Sequence, residues 1–203
     1  MSFFSTRGEN CVTASQAILQ GIAPDGGLYV PAMFPPVSLS KISEMADMDY
    51  TSRAVSVLKL FLEDFSIPEI EQAVKAAYGG GRFNDPGVAP LKKLDGSTWV
   101  MELFHGPTLA FKDMALQLLP HLIRQSALKN REDREICILV ATSGDTGKAA
   151  LEGFRDVDGT SSPARPSRTR LAQWLPPAAN TRAALSSLDP TPISAKSTCA
   201  SVT

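Results

Sequence analysis

Phe104-His105-Gly106-Pro107-Thr108-Leu109-Ala110-Phe111-Lys112-Asp113, followed further along by Ala141-Thr142-Ser143-Gly144-Asp145-Thr146-Gly147, decides how this chain folds. Each is a turn-rich loop set between an apolar extended stretch and a helical one. Ahead of the first, Thr98-Trp99-Val100-Met101-Glu102-Leu103 reads as a strand. Behind it, residues 113–128 read as a helix that Pro120 must kink or divide, because proline lacks the N–H and clashes with the preceding turn. Ahead of the second, Ile136-Cys137-Ile138-Leu139-Val140-Ala141 is a continuous apolar run, as expected of a parallel strand buried on both faces. A helix over 147–154 follows. Strand, helix, strand, helix at this spacing predicts a βαβ unit, and so an α/β fold with a parallel sheet. Ligands of such sheets bind at the carboxyl ends of the strands, where both loops fall.

Upstream, residues 1–90 read as a mostly helical part whose work is packing. Asp25-Gly26-Gly27-Leu28 lies in a Pro/Gly turn that leads into a short extended segment. A helix is expected over about 38–47. Ala54, Val55, Leu58, Phe61, Leu62 and Phe65 fall at helical spacing. Ser66-Ile67-Pro68-Glu69 has the capping-box form, and Ile70, Ala73, Val74 and Ala77 behind it make one apolar face. Gly79-Gly80-Gly81 stops that helix. Downstream, residues 160–203 are rich in Ser, Thr, Ala and Pro, with Trp174 as their sole aromatic. Such a segment buries too little apolar surface to offset chain entropy, and is expected to be a disordered tail or one foreign to the domain. The division is therefore 1–90, 91–159 and 160–203.

Composition narrows the function. A net charge of -1 gives no global field for nucleic acid or an anionic membrane. No apolar run reaches the length of a bilayer span. The N-terminus lacks the basic-then-apolar order of a secretion signal. Cys11, Cys137 and Cys199 fit neither a metal spacing nor a disulfide framework, so no metal is expected and a reducing cytoplasm is the simplest compartment. A small-molecule partner is left.

Lys112 is the first candidate for chemistry. Apolar flanks and a helix N-terminus both favour the neutral amine, which is the form that attacks a carbonyl. Its bland alternative is a solvated lysine beside Asp113. Thr142, Ser143, Gly144, Asp145 and Thr146 offer hydroxyls and backbone N–H groups at a helix start, an arrangement suited to carboxylate or phosphate. Equally, they form an ordinary connection in which Ser143 or Asp145 caps the helix. A nucleotide P-loop fails twice, since Thr142 takes the place of its first glycine and Ala149 that of its Mg²⁺-binding hydroxyl. His105 is read first as a residue that holds the loop and second as a proton carrier. Arg7 is a solvated arm residue or a contact to an anionic substrate.

Ser5-Thr6-Arg7-Gly8, Asp25-Gly26-Gly27-Leu28, residues 102–113 and residues 142–147, in that order, resemble the threonine synthase family, pyridoxal-phosphate enzymes of the tryptophan-synthase-β-like fold (fold type II). The resemblance covers about residues 1–159. It implies an N-terminal subdomain followed by the start of a fold type II parallel-sheet domain. It implies that Lys112 holds pyridoxal 5'-phosphate as a Schiff base and moves protons, and that Ser143, Gly144, Asp145 and Thr146 line the substrate site. The implied reaction converts O-phospho-L-homoserine and water to L-threonine and phosphate. Family members run to about twice this length, and a later glycine-rich loop that cradles the cofactor phosphate has no counterpart in 160–203. The expectation is thus a truncated or frame-disrupted chain of little or no activity. The alternatives are a related phospholyase for another amino-phosphate and a non-catalytic fragment that binds a phosphate ligand or a partner.

Overall fold

The computed structural model describes residues 1–134, 136–140, 144–161 and 198–202. The chain opens with β1 (Phe3–Ser5) and β2 (Cys11–Val12), then α1 (Ala14–Gln20) and β3 (Tyr29–Pro31). The three strands form an antiparallel sheet in the order β2-β1-β3, with Phe4 opposite both Cys11 and Val30. Thr13 starts α1: its Oγ1 accepts from Gln16 N at 3.3 Å, and Gln16 Oε1 accepts from Thr13 N at 3.0 Å. Two otherwise orphaned donors are satisfied in this way.

Three helices follow, α2 (Leu39–Ala46), α3 (Tyr50–Leu58) and α4 (Ile67–Tyr78). The stripe expected through Phe65 is helical only as far as Leu58; turns carry Leu62 and Phe65 into the same core. At α4 the Ser66 N–H and hydroxyl both donate to Glu69 Oε2, at 2.6 and 2.9 Å. Beyond Gly79, Gly80 and Gly81 have φ of 66° and 76°, a region that glycine enters at no steric cost.

Next comes a hairpin, β4 (Leu91–Asp95) and β5 (Thr98–Met101). It corrects the βαβ expectation. The strand at 98–103 ends at Met101 and pairs antiparallel with β4, Leu91 lying opposite Met101. The physical reason is local: Asp95-Gly96 is a turn signal, and neighbouring segments pair at less loop-closure cost than distant ones. The long helix divides as expected into α5 (Asp113–Leu116) and α6 (Leu119–Lys129), with Pro120 in the first turn of α6, where its missing N–H does no harm.

The parallel sheet is built on β6 (Ile136–Val140), with α7 (Asp145–Gly153) behind it. Its neighbours are β7 (Thr160–Ser161) and β8 (Thr198–Val202), both parallel to β6, in the order β7-β6-β8. Two short strands therefore come from the stretch read as a tail; residues 162–197 and 203 lie outside the described residues. The fold is mixed α/β with small, incomplete sheets. Two cores meet across α6. Leu118, just before it, and Leu122 join Ile70, Val74 and Phe65, whereas Ile123 and Ala127 join Ile136, Ile138, Val140 and Phe154. This shared wall fixes α5, at the near end of α6, relative to both halves.

A lysine-bearing cleft as the candidate active site

A buried carboxylate shapes the loop ahead of Lys112. Asp113 is fully buried, and three donors converge on it: Thr108 N–H at 2.8 Å, Thr108 Oγ1 at 2.9 Å and Gln117 Nε2 at 3.1 Å. Gly106 passes so close that a Cβ there would stand 2.5 Å from Asp113 Cβ, so no side chain fits. Leu109 takes a left-handed φ of 62°. The loop is thereby wound around Asp113, and Lys112 emerges half-buried at the start of α5. His105 is held at both ring nitrogens, by Asn84 Oδ1 at 2.6 Å and Glu102 Oε2 at 2.9 Å. That gives it the loop-holding role.

Lys112 Nζ reaches across to α7 and donates to Thr146 Oγ1. Thr146 is buried in the first turn of α7. The structure thus joins two of the residues singled out in the sequence, 34 positions apart. Gly144, at φ 140°, and Asp145 sit at the same end of α7, both exposed to solvent. Ser143 and Thr142 lie outside the described residues. Lys148 is exposed on α7, in the place of the P-loop lysine.

Lys112 and Thr146 line a cleft of about 670 Å³ with walls of Phe111, Leu103, Met101 and, from the N-terminal part, Tyr50. A volume of this order suits a small ligand. The Phe111 ring, 5.7 Å from Nζ, closes one side of the amine, and Arg53 also lines the cleft. Tyr50 was not among the residues singled out by sequence. Burial pushes its phenol up from its ordinary value, so it stays protonated at neutral pH. Its ring stands edge-on to Tyr78 at 5.1 Å, and Tyr78 OH donates to Met114 O at 2.6 Å, tying α4 to α5.

Arg7 does not line this cleft. Ser5 Oγ and Gly27 N both donate to Asp25 Oδ1, at 2.6 and 2.8 Å, so the segments at 5–8 and 25–28 lock together. A Cβ on Gly27 would clash with Ser5 Oγ, and Gly26 has a φ of 79°, so each of the paired glycines has its own reason. Arg7 itself is exposed.

The described residues therefore define a mixed α/β protein with a lysine at the mouth of a cleft between two helix starts. Comparison with known proteins gives the same picture. The sequence model for the threonine synthase N terminus matches residues 2–78. Threonine synthase of Pseudomonas aeruginosa is 42% identical over 160 residues, covering 78% of this chain and 33% of that protein. Human threonine synthase-like 1 is 39% identical over 165 residues, covering 75% of this chain and 22% of that protein. The crystal structure of PLP-bound threonine synthase from Brucella melitensis superposes with a TM-score of 0.74 at 40% identity, over 80% of this chain and 34% of that one. Over about four-fifths of its length the chain is therefore similar to the N-terminal portion of threonine synthases. It spans about a third of the length of the threonine synthases it matches.

Proposed function

We propose that this chain carries the lysine-bearing portion of a threonine synthase, a pyridoxal-phosphate-dependent lyase that converts O-phospho-L-homoserine and water to L-threonine and phosphate. The observation that carries it is the contact of Lys112 with Thr146 inside the cleft, in a chain that matches PLP-bound threonine synthase. The residues fit the cofactor: a half-buried amine faces a cleft of suitable volume, with a hydroxyl donor and acceptor beside it. When bound, pyridoxal phosphate acidifies the substrate's α-proton and takes up the electrons left behind. Lys112 would hold the cofactor and carry protons at Nζ. Thr146 orients that nitrogen through Oγ1. Ser143, Gly144, Asp145 and Thr146 would take the substrate's carboxylate through hydroxyls and backbone N–H groups at the start of α7. Phe111, Leu103 and Met101 supply apolar walls beside the amine.

On this reading residues 1–90 pack, residues 91–159 hold the chemistry and 160–203 stand apart from it. The partner is a small molecule, with neither nucleic acid nor membrane involved, and the compartment is the cytoplasm. Two observations support the last points: the net charge is -1, and no helix among the described residues is long and apolar enough to cross a membrane.

The test is a visible absorbance titration with pyridoxal phosphate, followed by borohydride reduction and peptide mapping. The expected result is a new band that Lys112→Ala abolishes, with the label on Lys112. Label spread evenly over the exposed lysines would overturn the assignment. Turnover of O-phospho-L-homoserine, measured beside other amino-phosphates, then separates threonine synthase from a related phospholyase.

A further inference from the structure

The buried network behind the lysine loop does not stop at Asp113. Gln117, also fully buried, donates through Nε2 to Asp113 Oδ1 at 3.1 Å and accepts through Oε1 from Arg82 Nη1 at 2.6 Å. Arg82 follows the glycines that end α4, so it belongs to the N-terminal part. Four residues thus run in line from that part to the loop: Arg82, Gln117, Asp113 and Thr108.

The donor and acceptor roles allow only one arrangement of this line. A guanidinium can only donate and a carboxylate only accept. The amide between them must turn its oxygen to Arg82 and its NH₂ to Asp113. Reversed, it would set two donors against each other at one end and two acceptors at the other. Arg82 therefore fixes which end of Gln117 faces Asp113. Asp113 in turn holds Thr108 by both N–H and hydroxyl, and those bonds close the loop that delivers Lys112.

We infer that Arg82 and Gln117 are positioning residues for Lys112. They couple the seating of the N-terminal part to the direction in which the lysine amine points. This rests on the role proposed above for Lys112. Neither residue lines the cleft. Loss of Arg82 leaves a buried amide oxygen without its donor and frees the amide to turn. The Thr108 clamp then loosens, and Lys112 swings from Thr146 toward solvent.

The experiment uses the 203-residue chain and acetylation by an N-hydroxysuccinimide ester. Labelling of Lys112 is read by mass mapping against Lys148, which is exposed on α7. Arg82→Met keeps the side chain's apolar stem and sits at the partly exposed end of the line, so the fold should persist. Gln117→Leu removes the middle. Both should raise the Lys112/Lys148 labelling ratio about ten-fold, the scale of one lost hydrogen bond to a charged group. Both should weaken pyridoxal phosphate binding by a similar factor. Arg82→Lys, which restores a donor, should return the ratio most of the way. Ile70→Ala, in the N-terminal core away from the loop, is the control for simple destabilisation and should leave the ratio unchanged.

An Arg82→Met protein that folds and keeps the wild-type ratio would overturn the inference, as would an equal rise in the Ile70→Ala control. If pyridoxal phosphate fails to attach to wild-type Lys112, the proposed function falls, but the acetylation ratios still decide the coupling.

Discussion

Gly153→Ala probes how α7 seats on the helix that carries the lysine. Gly153 is buried near the end of α7, and an added Cβ would stand 2.0 Å from Leu116 O and 2.9 Å from Leu116 C. An ordinary carbon–oxygen contact is about 3.3 Å, so α7 and α5 would have to part by about 1.3 Å. Two effects of opposite sign compete. Gly153 is the last residue of α7, so the preference of a helix interior for alanine over glycine, about 0.8–1 kcal/mol, is an upper bound on the gain. Overpacking costs about 1–3 kcal/mol, and the upper end applies because the obstacle is a backbone carbonyl that cannot rotate away. The clash should win, leaving the variant less stable by ~2 kcal/mol. That corresponds to a Tm lower by about 4–8 °C for a chain of this size. The same parting would pull Thr146 on α7 from Lys112 beside α5. A displacement near 1 Å can cost about a hundred-fold where reacting groups must be aligned. Urea denaturation with wild-type Gly153 as reference is the assay, with Lys112 acetylation as the second readout. A variant as stable as wild type, or more stable, would mean that helix propensity prevails and that α7 does not rest on α5 through this glycine.

Three further perturbations address the supports of the cleft. Glu69→Ala removes the acceptor for both Ser66 groups and the ion pair with Lys129 at 2.8 Å; a loss of ~1–2 kcal/mol in urea denaturation is expected. Burial raises the Glu69 pKa, but bonds from Lys129 and Ser66 outweigh it and hold the carboxyl below 4.5, so the deficit of the variant should be full above that pH and vanish as the pH falls through the lowered value. Tyr78→Phe breaks the bond to Met114 O and should cost ~1 kcal/mol, detected as a lower urea midpoint at unchanged slope. At His121, burial first and the charges of Arg82 and Arg124 second hold the imidazole below 6.5, so below that pH the unfolded chain binds the extra proton and stability declines with falling pH. Replacement by Gln should flatten the urea midpoint between pH 7 and 5 relative to wild type; an unchanged slope would place the pH dependence elsewhere.

The helical part was legible because its signals are local. Ser66 and Glu69 declare the start of α4 through bonds three residues apart, and the apolar positions behind them name the buried face. Pro120 likewise divides α5 from α6 for a reason contained in its own ring. The hairpin shows the opposite case. β5 has the composition of a buried strand, yet every residue of β4 and β5 is exposed, because Asp95-Gly96 folds the chain back on itself. The turn signal was present in the sequence, but the apolar pattern of 98–103 outweighed it.

Lys112 stood out by its loop and flanks, and Thr146 by its place in a second loop. Their direct contact, across 34 positions, follows only once α5 and α7 are packed. Tyr50 could not be read as part of the cleft, since its helical position serves a core equally well. Gln117 offered one faint sign, a spacing of four from Asp113 on a helical stretch, and Arg82 none. The sequence by itself determined the start of α4, its stop at the glycines, the break at Pro120 and the strand at β6, because caps, periodicity and turns act over a few residues. Only the tertiary structure decided which strand pairs with which, which hydroxyl meets the lysine and how a guanidinium after α4 reaches the loop that carries it. Those outcomes depend on α6 burying one face in each core, a constraint written across the whole chain and in no single segment.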